Sequence, residues 1–190
     1  MNFFQSFYIT HFSKPVCDRV IFRHIQADRP QKILEIGIQR AVRTLNLLQL
    51  AIRYCGELSD IHYTAIDPFE ARTQADGPGL SLRKAHRLIS QWGVRSRLCP
   101  LPPELAVKQL FLDRVIEKVD LVVVAMPSLD WFSVCAPHLS GLIHESAGIF
   151  VGIPCATPAE PFTFEKFNFT DFEQILHDPE LLQRRLQRAA

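Results

Sequence analysis

Seven residues, Val119-Asp-Leu-Val-Val-Val-Ala125, constrain this chain more than any other segment, because a single acid interrupts an otherwise apolar, β-branched run. A strand of that composition has no face to turn to water, so it belongs at the centre of a parallel sheet covered on both sides. Neighbouring parallel strands need a crossover of about a dozen residues or more between them, usually a helix. The rest of the sequence supplies such crossovers at a regular pitch. Lys32–Ile36 is a strand-type run ended by Gly37, and residues 41–55 follow with Val42, Leu45, Leu47, Leu48 and Ile52 at helical spacing. Ile61–Ile66 is a second strand, ended by Asp67-Pro68, and residues 80–92 form a basic amphipathic helix stopped by Gly93. Arg97–Cys99 makes a short third strand. Pro103 suits the first position of a helix predicted to reach about Lys118, since the missing N–H costs nothing there. Residues 128–145 read as a helix despite Pro137, and Gly148–Ile153 as a fifth strand.

The expected fold class is therefore α/β, an open, mainly parallel twisted sheet with helices on both faces. The 190 residues suit one domain. Residues 1–30 are a helical N-terminal cap whose apolar side chains cover one edge of the sheet, and residues 31–153 are the α/β core. Pro154, Pro158 and Pro161 cannot continue a ladder or a helix and set off a C-terminal segment, 154–190. Within it, residues 162–172 space their aromatics to predict an added edge strand with one apolar face. The stretch to Ala190, with Leu181, Leu182 and Leu186, reads as a terminal helix.

Charge and cysteine usage narrow the function. Lys+Arg is 21 and Asp+Glu 20, a net charge of +1, whereas binding dominated by a phosphate backbone leaves a larger excess. Nucleic acid is thus a disfavoured partner, although Arg83-Lys84-Ala-His86-Arg87, with Arg95 and Arg97, makes one basic stretch. No run approaches the roughly 18–20 apolar residues of a membrane span, and the start has no basic leader before an apolar block. Cys17, Cys55, Cys99, Cys135 and Cys155 are scattered and odd in number, the usage of reduced thiols in a cytoplasmic protein. The histidines show no paired ligand spacing, so no metal is expected.

Chemistry in such a sheet sits beyond the carboxyl ends of the strands, where the strand order reverses. Glu35-Ile36-Gly37-Ile38-Gln39-Arg40-Ala41 falls there. Gly37 permits a sharp turn and close approach to a ligand, and the following helix offers free N–H groups. About 30 residues on, Asp67 ends the second strand, where a carboxylate can accept both hydroxyls of a ribose diol.

Glu35, Gly37 and Asp67, with Asp120–Ala125 as the fourth strand, resemble the class I S-adenosylmethionine-dependent methyltransferases over roughly residues 30–153. That resemblance implies a Rossmann-like, methyltransferase-type sheet and S-adenosylmethionine as cofactor. It implies transfer of a methyl group by direct displacement to an unidentified acceptor. Glu35, Gly37, Ile38, Asp67, Phe69, Leu101 and Ala125 would then line the cofactor, with Phe69 available to stack on adenine. Asp130, following the fourth strand, is the candidate catalytic carboxylate, and His138 and His144 lie further along.

The pattern also has departures. Ala41 stands where the family's last loop glycine often falls, and Ile38, Gln39 and Arg40 would crowd the methionine end. Cys99-Pro-Leu-Pro-Pro103 holds no acid for the adenine amine. Met126-Pro127-Ser128 is not the Asn/Asp-Pro-Pro-Tyr signature of amino-group methylation. These departures keep open a non-catalytic methyltransferase-like module that binds or scaffolds. A nicotinamide-dependent oxidoreductase would need Gly-x-Gly-x-x-Gly, of which only Gly37 is present. The partner classes left are a small-molecule cofactor, an acceptor and, for a homodimer, a second copy of the chain.

Overall fold

The computed structural model describes residues 2–114, 116–126, 132–154 and 162–177. Two helices, α1 (Phe3–Phe12) and α2 (Arg19–Asp28), precede the alternating region. Next come β1 (Lys32–Ile36), α3 (Val42–Tyr54), β2 (His62–Ile66), α4 (Leu82–Ser90), β3 (Arg95–Cys99), α5 (Pro103–Leu112) and β4 (Val119–Val124). The chain then forms α6 (Phe132–Leu142), β5 (Ile143–Pro154), β6 (Phe162–Phe167) and α7 (Phe169–His177). The sheet order is β3-β2-β1-β4-β5-β6, with β1 to β5 parallel and β6 antiparallel to β5. Strand order reverses between β1 and β4, so the carboxyl ends of those two strands frame the crevice.

The strand period of two divides the core. Ile33, Tyr63, Ala65, Leu121, Val123 and Phe150 point to one face and pack on α2, α3 and α4. Leu34, Ile36, Ile66, Val122, Val124 and Ile149 point to the other and pack on α5, α6 and α7. The run at β4 is buried on both sides, as its composition requires.

Several elements differ from expectation. Of the N-terminal helices, α2 covers a face of the sheet, not an edge, with Ile21, Phe22 and Ile25 all fully buried in the first cluster, and α1 packs on α2 and α3. α2 comes close enough that a Cβ on Gly148 of β5 would overlap the His24 ring. α5 stops at Leu112, short of Lys118, where Asp113 donates its N–H back to Gln109 and Arg114 turns left-handed at φ 47°. β5 starts directly at Ile143, where a helix was expected to continue, yet its regular ladder with β4 runs from Leu121↔Gly148 to Val124↔Val151. β6 is the added edge strand, but it buries a ring on each face in place of presenting one apolar face. The three-residue step from Phe164 to Phe167 puts the first ring in one core cluster and the second in the other. The Asn168 side chain then caps α7 through the Asp171 N–H at 2.7 Å, so the strand does not reach 172. Residues 178–190, with the expected terminal helix, and Pro158 and Pro161 lie outside the described residues.

β3 and β6 are the two edge strands of the sheet, and β3 lies at the edge away from the C-terminal segment. Its Arg95, Ser96 and Arg97 are exposed, and a groove runs along each of its faces. One, of about 330 Å³, is lined by Lys32, His62, Arg95, Arg97 and Glu117; the other, of about 480 Å³, by Leu82, Arg83, His86, Ser96 and Leu98. Among the described residues no helix is long and apolar enough to cross a membrane.

Candidate functional site at the carboxyl ends of the strands

The turn after β1 is closed by the ladder itself. Gly37 donates to Ile66 O and Ala125 donates to Ile36 O, both at 2.8 Å. Gly37 has φ +87°, and a Cβ there would overlap the Ala125 carbonyl oxygen and lie 2.9 Å from Met126 Sδ. Its glycine identity is therefore required by packing against the end of β4 before any ligand is considered. Gln39 and Ala41 also hold left-handed backbones, at φ 52° and 60°. Positions 37, 39 and 41 thus carry a glycine-type loop in which two of the three residues have side chains. The strain at Gln39 and Ala41, about 1 kcal/mol or more each, is of the kind that clusters at sites where the backbone path itself matters.

Asp67 lies across this loop from β2 and is fully buried. Its Oδ2 accepts from the backbone N–H of Ile38 at 3.0 Å and of Gln39 at 3.2 Å, and its Oδ1 from the N–H of Phe69 at 2.9 Å. Arg72 completes the set, with Nε 2.9 Å from Oδ1 and Nη2 on Oδ2. The same guanidinium donates through Nη1 to Asp76 O at 2.8 Å. Five donors occupy both carboxylate oxygens, so a diol can take its place there only where Arg72 withdraws.

Glu35 is equally buried, on the α3 face of β1. Oε1 accepts from Arg43 Nε at 2.8 Å, and Oε2 from Thr44 Oγ1 at 2.8 Å and the Tyr63 hydroxyl at 2.7 Å. Arg43 also donates from Nη2 to Gly37 O at 2.8 Å and faces Asp18 at 3.6 Å through Nη1. Burial pushes the Asp18 carboxyl up to about 6 against the pull of Arg43, and pushes the Tyr63 hydroxyl well above its ordinary range. One guanidinium between two acids thus braces β1, α3 and the segment before α2.

The other residues singled out in the sequence are placed as follows. Ile38 and Ala125 are buried in the core beside the loop, and Gln39 is half-buried while Arg40 is exposed. Phe69, at φ 50°, buries its ring in the α3-side cluster, and Leu101 packs half-buried on the opposite one. Asp130 lies outside the described residues. His138 stacks edge-on with Phe111, and His144 Nδ1 lies 2.8 Å from Ser146 Oγ. Burial pushes the Cys55 and Cys135 thiols up to about 12, the reverse of what activates a nucleophile.

Arg43, Arg72, Asp18 and Tyr63 were not anticipated. A signal existed for Arg43, because a cation in the first turn of a helix opposes the macrodipole and implies an acid nearby.

Solved structures that share this fold include two methyltransferases. One is described as SAH-bound Podospora anserina methyltransferase PaMTH1. It is 16% identical with a TM-score of 0.53, over 77% of this chain and 59% of that one. The other is Burkholderia thailandensis 1,6-didemethyltoxoflavin-N1-methyltransferase with bound 1,6-didemethyltoxoflavin and S-adenosylhomocysteine. It is 18% identical with a TM-score of 0.50, over 98% of this chain and 75% of that one. The chain therefore has a methyltransferase-like α/β fold, and it spans less than two thirds of the length of the first of these. No family model matches the chain, and no curated protein matches it.

Proposed function

We propose that this chain binds S-adenosylmethionine at the carboxyl ends of β1 and β2 and transfers its methyl group to an acceptor not yet identified. The observation that carries the reading is the pairing of Asp67 with the N–H groups of Ile38 and Gln39 across a loop left-handed at residues 37, 39 and 41. An acid at the end of β2, facing a glycine-type turn after β1, is the donor–acceptor set a nucleoside diol requires. The fold likeness adds the cofactor class. When bound, the cofactor supplies a methyl group on a sulfonium, a leaving group that needs no protonation.

The chain's residues do the holding. Asp67 accepts the diol once the Arg72 guanidinium moves off it, and the backbone of residues 37–41 shapes the wall beside it. Glu35, locked by Arg43, Thr44 and Tyr63, keeps β1 and α3 in place instead of touching a ligand. Positioning the acceptor in line is the protein's main contribution to such a displacement. From its position in the sequence after β4, Asp130 is the carboxylate proposed to take a proton where the acceptor carries one.

A second reading, a non-catalytic module of the same fold, is favoured by one observation: Arg72 already fills both oxygens of Asp67. Calorimetric titration with S-adenosylmethionine and S-adenosylhomocysteine separates the two. Binding is expected for the wild-type protein, at least tenfold tighter for Arg72→Ala and at least tenfold weaker for Asp67→Asn, each step being about 1.4 kcal/mol. No heat and no thermal stabilisation at millimolar ligand, in wild type and Arg72→Ala alike, would establish the module reading.

A further inference from the structure

The helix α1 is built inside out. Its buried side chains are Ser6, Ile9 and Thr10, and its outward side carries Phe3, Phe4, Phe7, Tyr8 and Phe12, exposed by 64, 79, 47, 60 and 57%. The inward hydroxyls are satisfied locally: Ser6 Oγ donates to Phe3 O at 2.9 Å and Thr10 Oγ1 to Ser6 O at 2.8 Å. Tyr54 of α3 donates its hydroxyl to Ser6 at 3.2 Å, and Gln5 bonds Gln49 at 3.1 Å, so the helix is anchored on the body. Five aromatic rings held facing outward on an anchored helix are an interaction surface, since single exposed apolar residues are ordinary but contiguous patches are not.

We infer that this face docks on the same face of a second copy of the chain. Three observations select that occupant. First, α1 contains no Asp, Glu, Lys or Arg, so two copies brought face to face meet no like-charge repulsion. Second, the rings form two ridges at four-residue spacing. Phe3 stacks on Phe7 at 6.2 Å and 17°, with His11 4.7 Å beyond, and Tyr8 stacks on Phe12 at 6.4 Å and 20°, with Phe4 one turn earlier. The two rows touch, with Phe7 5.9 Å from Phe12 and Phe3 6.0 Å from Phe4, so the rings form one continuous ridged aromatic surface that can pack against its like. Third, aromatic side chains of this size at these exposures offer roughly 600 Å² per copy, or about 1,200 Å² for the pair, the lower bound of a specific interface. The contact is isologous and closes at two copies.

Sedimentation equilibrium of the full chain from 1 to 100 μM tests the inference. The expected result is a mass twice the 21.7 kDa of one chain. The double variant Phe4→Glu/Tyr8→Glu is expected to dissociate at least a hundredfold more readily with an unchanged far-ultraviolet spectrum. Leu112→Glu, at an exposed apolar position away from α1, is expected to stay dimeric. A monomeric wild type across the range overturns the proposal, as does a dimer that the α1 variant does not weaken. Co-sedimentation of a monomeric wild type with phosphatidylcholine–phosphatidylserine vesicles, lost in the α1 variant, would overturn it in favour of a bilayer surface.

Discussion

Two buried carboxylates, Glu35 within β1 and Asp67 just past the end of β2, are held by arginines in opposite ways. Glu35 takes its arginine from α3, a helix whose Leu47, Leu48, Leu50 and Ala51 are wholly buried in the core. Asp67 takes its arginine from the loop five residues further along its own chain. The first cation cannot leave without moving a helix; the second leaves if a short loop opens. The lesson is that an acid's burial says little about its availability until the element bearing its partner is known. Glu35 is a brace, and Asp67 carries a latch.

The largest effect should come from breaking the brace. Arg43→Ala leaves Glu35 and Asp18 buried without their cation, and a loss of about 3–5 kcal/mol is expected in urea unfolding. Next is the pH dependence of the same network. The folded pKa of Asp18 is raised, to about 6 from an unfolded value of 3.8, so its stabilising contribution is full below pH 3.8 and lost as pH rises through 6. Asp18→Asn should remove that slope, making the variant-minus-wild-type stability rise by about 3 kcal/mol between pH 3.5 and pH 8, followed by chemical denaturation at each pH.

Breaking the latch should cost less. In Arg72→Ala, Asp67 keeps its three backbone donors, and a loss of about 2 kcal/mol is expected, below that of Arg43→Ala. If Arg72→Ala proves as damaging as Arg43→Ala, the distinction between brace and latch fails. The smallest effect concerns the loop between the two acids. Ala41→Gly relieves a left-handed alanine and should stabilise by up to about 1 kcal/mol, read from the urea midpoint at constant m-value.

The parts legible in the sequence were those governed by local pattern. Local pattern located the five parallel strands, although β5 begins five residues earlier than its run predicts, and Pro103 marked the start of α5. Glu35, Gly37 and Asp67 were correctly placed at the ends of their strands because a strand's end is a local event. The partners of those acids were not legible. Arg43 and Tyr63 reach Glu35 across 8 and 28 residues of sequence, and only the parallel register Glu35↔Ala65 brings β2 alongside. The faces of β6 were misjudged for a related reason, since a single three-residue step reverses which side of a strand an aromatic occupies. Arg40 and Arg43, three residues apart, look alike in the sequence, yet one is solvated and the other holds two acids.

The edge strand β3 bears on how copies of this chain can associate. A further strand added there by another copy would bring a second Arg95 and Arg97 against the first, beside the Arg83 and His86 of α4. Like charges in register across a strand pair oppose such pairing. Sheet extension is an open-ended mode of growth, in which each added copy presents a fresh edge to the next. At β3, then, the arginines oppose open-ended growth, whereas a contact between identical faces exhausts itself after a fixed number of copies.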